Sequence, residues 1–581
     1  MGTHGASERR RQDKARRRRI CHDQEFARAK KISLEAESLE RAILSRGSRG
    51  KMFFGTLLMG RYITRLKRLQ DNKSLLNEGA WRALAAAPVV DSVVIKAGAT
   101  WTTAPDVFGR HGWPEQILWG VDQVIDVCRL VRTGNIIGAI SVARAQLERW
   151  TLNIAHHHKL GFSDEEPTGA LIKRAWDTYP RISAEIDMAE AWLQMSEWLH
   201  GRGGIQEALE LDWMLSDLSA PNSVTAPSSA MAIYHKVCTV IEVVFRQVRG
   251  AAHVLAEETG QHGFGSALQR GYQVEELPED DWIIKLLGPA EPVISLGETG
   301  EELRQVGLRY RYAVSSSVVR ESMKKGLSQK LAIDALIERR ARAVERERVA
   351  YQHEYDALGK LELGWLMARL FRYIAISEAS IIASRWVVGV ERTALASAAA
   401  ALRSAYWLWL EDTDQAMSCV RVVLEQTCRA RAWRVKPNRA SRAESAGGVA
   451  SPARWVEAAG WKRISVLSRA LGEFAHVSPN SKWSGARKIL TELQPSEDGQ
   501  SEFTARGHAL DSAAYLLAHE IAARFEEAST DLAQCFRQAV TLLDAADHED
   551  DIERLLMRGL SKKDATLGDN DFDFSAFTSV T

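Results

Sequence analysis

Two stretches of the chain carry the same polar residues at the same spacing. Residues 139–148 read AISVARAQLE and residues 416–425 read AMSCVRVVLE, sharing A-x-S-x-x-R-x-x-L-E. In a helix, Ser141, Arg144 and Glu148 lie at i, i+3 and i+7, as do Ser418, Arg421 and Glu425, so each trio projects from one face. Downstream, MSEWLHG (195–201) matches LGEFAHV (471–477) through E-aromatic-x-H. The arginine-to-histidine separation is 56 residues from Arg144 to His200 and 55 from Arg421 to His476. An arginine that holds an anion, beside a histidine that exchanges a proton near neutral pH, is the material of a ligand or active site. The same groups also make a buried hydrogen-bonded network that pins a bundle, because polar groups in a core must be paired. We take the network reading first and the site reading second.

Each histidine stands at the end of an apolar helical segment just before a turn, GRGG after His200 and SPN after His476. A helical bundle brings such ends and faces together. A looser match at the same offset, IYHKVCTVIEVVFRQ (233–247) against AYLLAHEIAARFEEA (514–528), extends the similarity. The expected fold is therefore all-α, with two tandem homologous helical-bundle units joined by a long helix. A period this long is a domain duplication, not a solenoid repeat. The expected organisation is a basic arm over 1–31, a helical segment over 32–94, unit 1 over 95–260, a linker over 261–374, unit 2 over 375–545 and an acidic tail over 546–581. Within the linker, Ile337, Val344, Tyr351 and Leu358 recur every seven residues and predict a long charged helix. Loops are expected where Gly, Pro, Ser and Asn gather, including 201–204, 436–452 and 493–500.

The R-x-x-L-E and E-aromatic-x-H pair resembles a pattern of uncharacterised bacterial, often actinobacterial, helical proteins. The chain is also similar, more distantly, to the HEPN superfamily of all-α bundles with an R-x(4–6)-H motif, here Arg469 and His476 in LSRALGEFAH (467–476). The first copy has Leu193 where the second has Arg469. Many HEPN members are metal-independent ribonucleases of defence systems and others are non-catalytic. The resemblance implies that His476 would handle the proton of the attacking or leaving oxygen and Arg469 would stabilise phosphorane charge. It also implies a site built from two bundles, which leaves oligomerisation open.

The 581 residues exceed one ordinary core. A formal charge of +1 excludes a chain-wide nucleic-acid field, so any such contact must be local. Two local patches qualify. The arm contains Arg16, Arg17, Arg18 and Arg19 and offers RNA or DNA a counterion-releasing contact. Arg429, Arg431 and Arg434, interleaved with Trp433, offer phosphate contacts and a stacking surface. The tail, ending in GDNDFDFSAF (568–577), offers a protein partner a docking peptide. His156, His157 and His158 are consecutive, should point apart and lack an H-E-x-x-H spacing. They are read as a helix end, and no metal or cofactor is expected.

Six scattered cysteines without a C-x-x-C pair fit reduced thiols and a cytoplasmic setting. The most apolar stretch, 374–410, is interrupted by Glu378, Arg385, Glu391, Arg392 and Arg403, so buried helices are expected and not a membrane span. The leading expectation is a helical binding or regulatory module for nucleic acid or a protein partner, in a defence or mobile-element context. A HEPN-like endoribonuclease and a structural scaffold are the alternatives.

Overall fold

The computed structural model describes residues 38–42, 45–46, 50–71, 123, 126–127, 130–131, 133–161, 166–180, 182, 186–218, 227–260, 262, 369–410, 415–445, 452–461, 464–475, 493–495, 502–504 and 506–540. Its first half holds α1 (Gly50–Asp71), α2 (Ile136–His157), α3 (Thr168–Trp176), α4 (Met188–Leu199), α5 (Ile205–Ser216) and α6 (Ser228–Glu258). The second half holds α7 (Arg369–Arg385), α8 (Gly389–Leu410), α9 (Gln415–Val435), α10 (Pro437–Ser445), α11 (Pro452–Ala459), α12 (Ser465–Ala475), α13 (Arg506–Glu526) and α14 (Thr530–Ala539). The chain is all-α. Among the described residues the one β ladder pairs β1 (Leu493–Pro495) antiparallel with β2 (Glu502–Thr504). The basic arm, the long linker helix and the acidic tail lie outside the described residues, apart from the linker's end in α7.

The two motif segments form α2 and α9, the central helices. Every residue from Ile136 to Ala155 is buried, which a run of Ala, Ser and Gly makes feasible by letting neighbours approach on all sides. Gly138 shows how close: a Cβ there would stand 2.5 Å from Ser404 Cβ on α8. The Ala-rich α8 lies along α9 just as intimately, with Ala398, Ala399, Ala400 and Ala401 fully buried. Side-chain caps start α4 and α14, where Asp187 accepts from the Ala189 amide and Ser529 from that of Leu532.

The segment 436–452, expected as a loop, instead carries α10 and the start of α11. Pro437 and Pro452 each occupy a first helical position, where the missing amide hydrogen costs nothing and the fixed φ suits the helix. The expected loop 493–500 begins with β1. At 201–204 the turn is present, with Gly201, Gly203 and Gly204 all at positive φ.

α2 packs on α3, α4 and α6 of its own half, and also on α8, α9 and α12 of the other. One continuous hydrophobic core runs from Phe54 to Val540 and draws on both halves. Of the charges that interrupt the apolar stretch 374–410, Glu378, Glu391 and Arg403 are paired inside it, while Arg385 and Arg392 share Glu210 at its edge. Arg403 bonds Asp212, Asn135 and Ser377, while Arg65 reaches Asp212 (3.4 Å) and the Thr133 carbonyl (2.7 Å). Arg61 meets Glu378 at 3.3 Å, and Ser216 donates to the same carboxylate at 3.2 Å. Glu391 pairs with Arg524. Burial raises the Glu378 carboxyl above the usual range against the pull of Arg61, Arg403 and Arg65. Among the described residues one helix, α6, is long and apolar enough to cross a membrane by length and composition. Half of its apolar window is buried in this core.

Candidate functional site

The motif residues of both helices come together. Ser141 and Arg144 from α2, Ser418, Arg421 and Glu425 from α9, and His200 from the end of α4 line one small cleft of about 20 Å³. It leaves room for little more than one water-sized group. The histidine of the first half thus meets the glutamate of the second: His200 Nδ1 is hydrogen-bonded to Glu425 Oε1. The backbone that carries the imidazole is held too. Arg429 donates through Nη1 to the His200 carbonyl, and Gln426 donates to the Leu199 carbonyl at 2.9 Å. Gly201 makes room for this clamp, since its φ is +72° and a Cβ would lie 2.8 Å from Arg429 Nη1.

Each half pairs its carboxylate differently. In α2, Arg144 Nε donates to Glu148 Oε1 at 3.1 Å, and Trp192 Nε1 donates to the same oxygen at 2.6 Å. The Arg144 guanidinium also lies 5.3 Å from the centre of the Trp192 ring, within cation–π range. In α9, Glu425 turns to His200, and Arg421 is left with Nη1 shut off from solvent and without a hydrogen-bond partner among the described residues. Burial lowers the proton affinity of Arg421, Glu425 raises it and the Arg144 charge lowers it again. A guanidinium stays protonated through such shifts. For Glu425, burial acts upward, but His200, Arg421 and Arg429 together hold the carboxyl below the usual carboxylate range.

The serines tie the helices to their neighbours. Ser418 donates to the Phe474 carbonyl at 3.0 Å, docking the end of α12 on α9. Ser141 bonds the thiol of Cys419, whose pKa burial pushes up to about 12.

The remaining expected site residues lie elsewhere. Arg469 is exposed on α12 and does not line the cleft; Leu193, its match in α4, is also exposed. His476 and Arg16 to Arg19 lie outside the described residues. Arg429, Arg431 and Arg434 spend their donors inside the fold. Arg429 Nε binds Glu444 at 2.5 Å, and Arg431 Nε donates to the Ala459 carbonyl at 3.0 Å. Arg434 holds Glu520 through two bonds of 2.8 Å. Trp433 is half-buried and packed against the core.

Sequence reasoning missed Trp192, Gln426 and the clamp by Arg429. None left a local signal: Arg429 stands beside Arg431 and Arg434 in the same polar stretch of α9. Compared with protein-family models, with curated proteins and with solved structures, the chain matches none.

A carboxylate on Nδ1 makes that nitrogen the donor, so the other ring nitrogen is the one available to accept a proton. Two arginines from separate helices supply donors for an oxyanion. The arrangement is chemically able to hold one anionic oxygen and to relay one proton.

Proposed function

We propose that the chain is an all-α nucleic-acid-binding module that grips a backbone phosphate oxygen between Arg144 and Arg421. The observation that carries this reading is the buried, unpartnered Nη1 of Arg421 at a cleft that a second arginine also lines. An orphaned buried donor costs stability of the order of 1–3 kcal/mol, more for a charged group, and a bound anion would offset it. A cleft this small suits a phosphoryl oxygen and excludes a base. A tandem relationship of the two halves belongs to this reading: α2 packs on α4 and α6, and α9 packs on α12 and α13. In this reading the basic arm adds sequence-independent contacts, the acidic tail recruits a protein partner, and the protein works in the cytoplasm, in a defence or mobile-element setting.

The test is binding of labelled single-stranded RNA and DNA at several salt concentrations. Arg421→Gln should weaken binding and reduce the logarithmic salt slope by about 1, the loss of one phosphate contact, with unchanged circular dichroism. Affinity and slope equal to wild type in the variant would sink the proposal, as would salt-independent binding.

A second reading, HEPN-like metal-independent RNA cleavage by Arg469 and His476, draws on the Ser418–Phe474 bond, which anchors the helix end two residues before His476. Cleavage in the presence of chelator that disappears in His476→Ala would favour it. Neither binding nor cleavage leaves the scaffold.

A further inference from the structure

The far end of α2 gathers a second set of groups, more than three helical turns beyond Arg144. His157 is the last residue of α2, His158 its C-cap, and Glu258 the last residue of α6. One nitrogen from each imidazole and one Glu258 oxygen all lie within 4.8 Å of one another. We infer that His157, His158 and Glu258 bind a single divalent transition-metal ion, zinc by the chemistry of the donors, at the joint between α2 and α6.

Consecutive histidines on a regular helix would diverge. Here the helix closes between them and the next strand of chain. Lys159 takes a positive φ of 52° and the Leu160 amide donates back to the Ala155 carbonyl at 2.9 Å, a C-terminal closure of the Schellman type. His158 is the last residue on the helical path, its amide still bonded to the Ile154 carbonyl at 3.0 Å, and its ring stands edge-on to that of His157, with centroids 4.9 Å apart. His157 Nε2 already contacts Glu258 Oε2 at 2.8 Å. His158 Nε2 is buried and has no hydrogen-bond partner among the described residues.

Ligand atoms on a tetrahedral zinc ion, at 2.0–2.1 Å from the metal, stand roughly 3.3 Å apart. The observed spacing, within 4.8 Å, is wider, and ion binding would draw the three side chains together. Outer-shell support is present as well. Tyr179 donates its hydroxyl to Glu258 Oε2 at 3.1 Å, and its ring packs edge-on against His158 with centroids 5.1 Å apart. Such partners orient metal-ligating carboxylates and histidines. His157 and Glu258 are both partly exposed, so an ion has a route in. Two imidazoles and one carboxylate leave a fourth position for water or an exogenous ligand.

The test takes the full-length protein, stripped with chelator and dialysed, and titrates it with Zn²⁺ by calorimetry and with Co²⁺ by visible absorption. One ion per chain should bind, with a cobalt spectrum of tetrahedral type. Glu258→Gln and His158→Ala should abolish that stoichiometric event while circular dichroism stays unchanged. Tyr179→Phe should weaken binding about tenfold, as loss of an outer-shell partner does. No uptake by the wild type, or equal uptake by Glu258→Gln, would overturn the assignment. RNA binding at the distant cleft is scored separately, so failure here leaves that proposal standing.

Discussion

Glu425 is the residue on which the cleft turns. It is buried, bonds His200 across the two halves, and sits with Arg421 and Arg429 close by. Its folded-state carboxyl lies below the unfolded value of about 4.3, so its ionisation stabilises the fold above that pH. The contribution falls away as pH drops through the lower folded value. Glu425→Gln should therefore be less stable than wild type at pH 7, by about 1.5–3 kcal/mol for a lost charged hydrogen bond. The gap between their Tm values should narrow progressively below pH 4.3. A gap that is constant from pH 7 to pH 3 would mean that charge plays no part. This residue was legible in the sequence through its spacing from Arg421. Its partner was not: the histidine of the first motif meets the glutamate of the second, because α2 and α9 pack on each other.

At the scale of elements, the close crossings depend on missing side-chain atoms. Gly138 lies where α2 meets α8, and the Cβ of an alanine would stand 2.5 Å from Ser404 Cβ and 2.6 Å from its Oγ. Neither is the far end of a flexible side chain, so the helices must separate. Gly138→Ala should cost about 1–3 kcal/mol despite alanine's better helix propensity, read as a lower denaturant midpoint with an unchanged slope. An equal or raised midpoint would show that the crossing is loose. Helicity here was readable from spacing, and so was the burial of 374–410. The misread element, α10, illustrates the limit. Pro, Asn, Ser and Arg in 437–445 look like a loop locally, yet Pro437 starts a helix that is held from outside. Ala440 is fully buried and Glu444 binds both Arg429 and Arg202.

At the scale of the whole molecule, one core joins what the sequence divides into units. Asp212 on α5 shows the joint most clearly, bonding Arg65 of α1 and Arg403 of α8. Removing it leaves two guanidiniums buried without their counter-charge. Asp212→Ala should destabilise by about 3–5 kcal/mol, the cost of breaking a buried pair from one side. Because the core is shared, the wild type should unfold in one calorimetric transition, and Asp212→Ala should move that whole transition to lower temperature. Two separable transitions, with only one displaced, would mean that the halves fold independently.

Periodicity and spacing alone determined that the chain is helical, that two segments carry matching Ser-Arg-Glu faces, and that a histidine follows each at nearly equal distance. These are one-dimensional regularities, and the period of the α-helix converts them directly into faces. Which face meets which was decided only in three dimensions, by packing among small residues that many registers would satisfy locally. Tertiary contact set His200 against Glu425, left Arg421 with a bare donor at the cleft, turned Arg429, Arg431 and Arg434 inward, and brought His157 and His158 to Glu258 across a separation of 101 residues. Charges far apart in the chain find partners only when burial removes water as the alternative, and no local pattern records that choice.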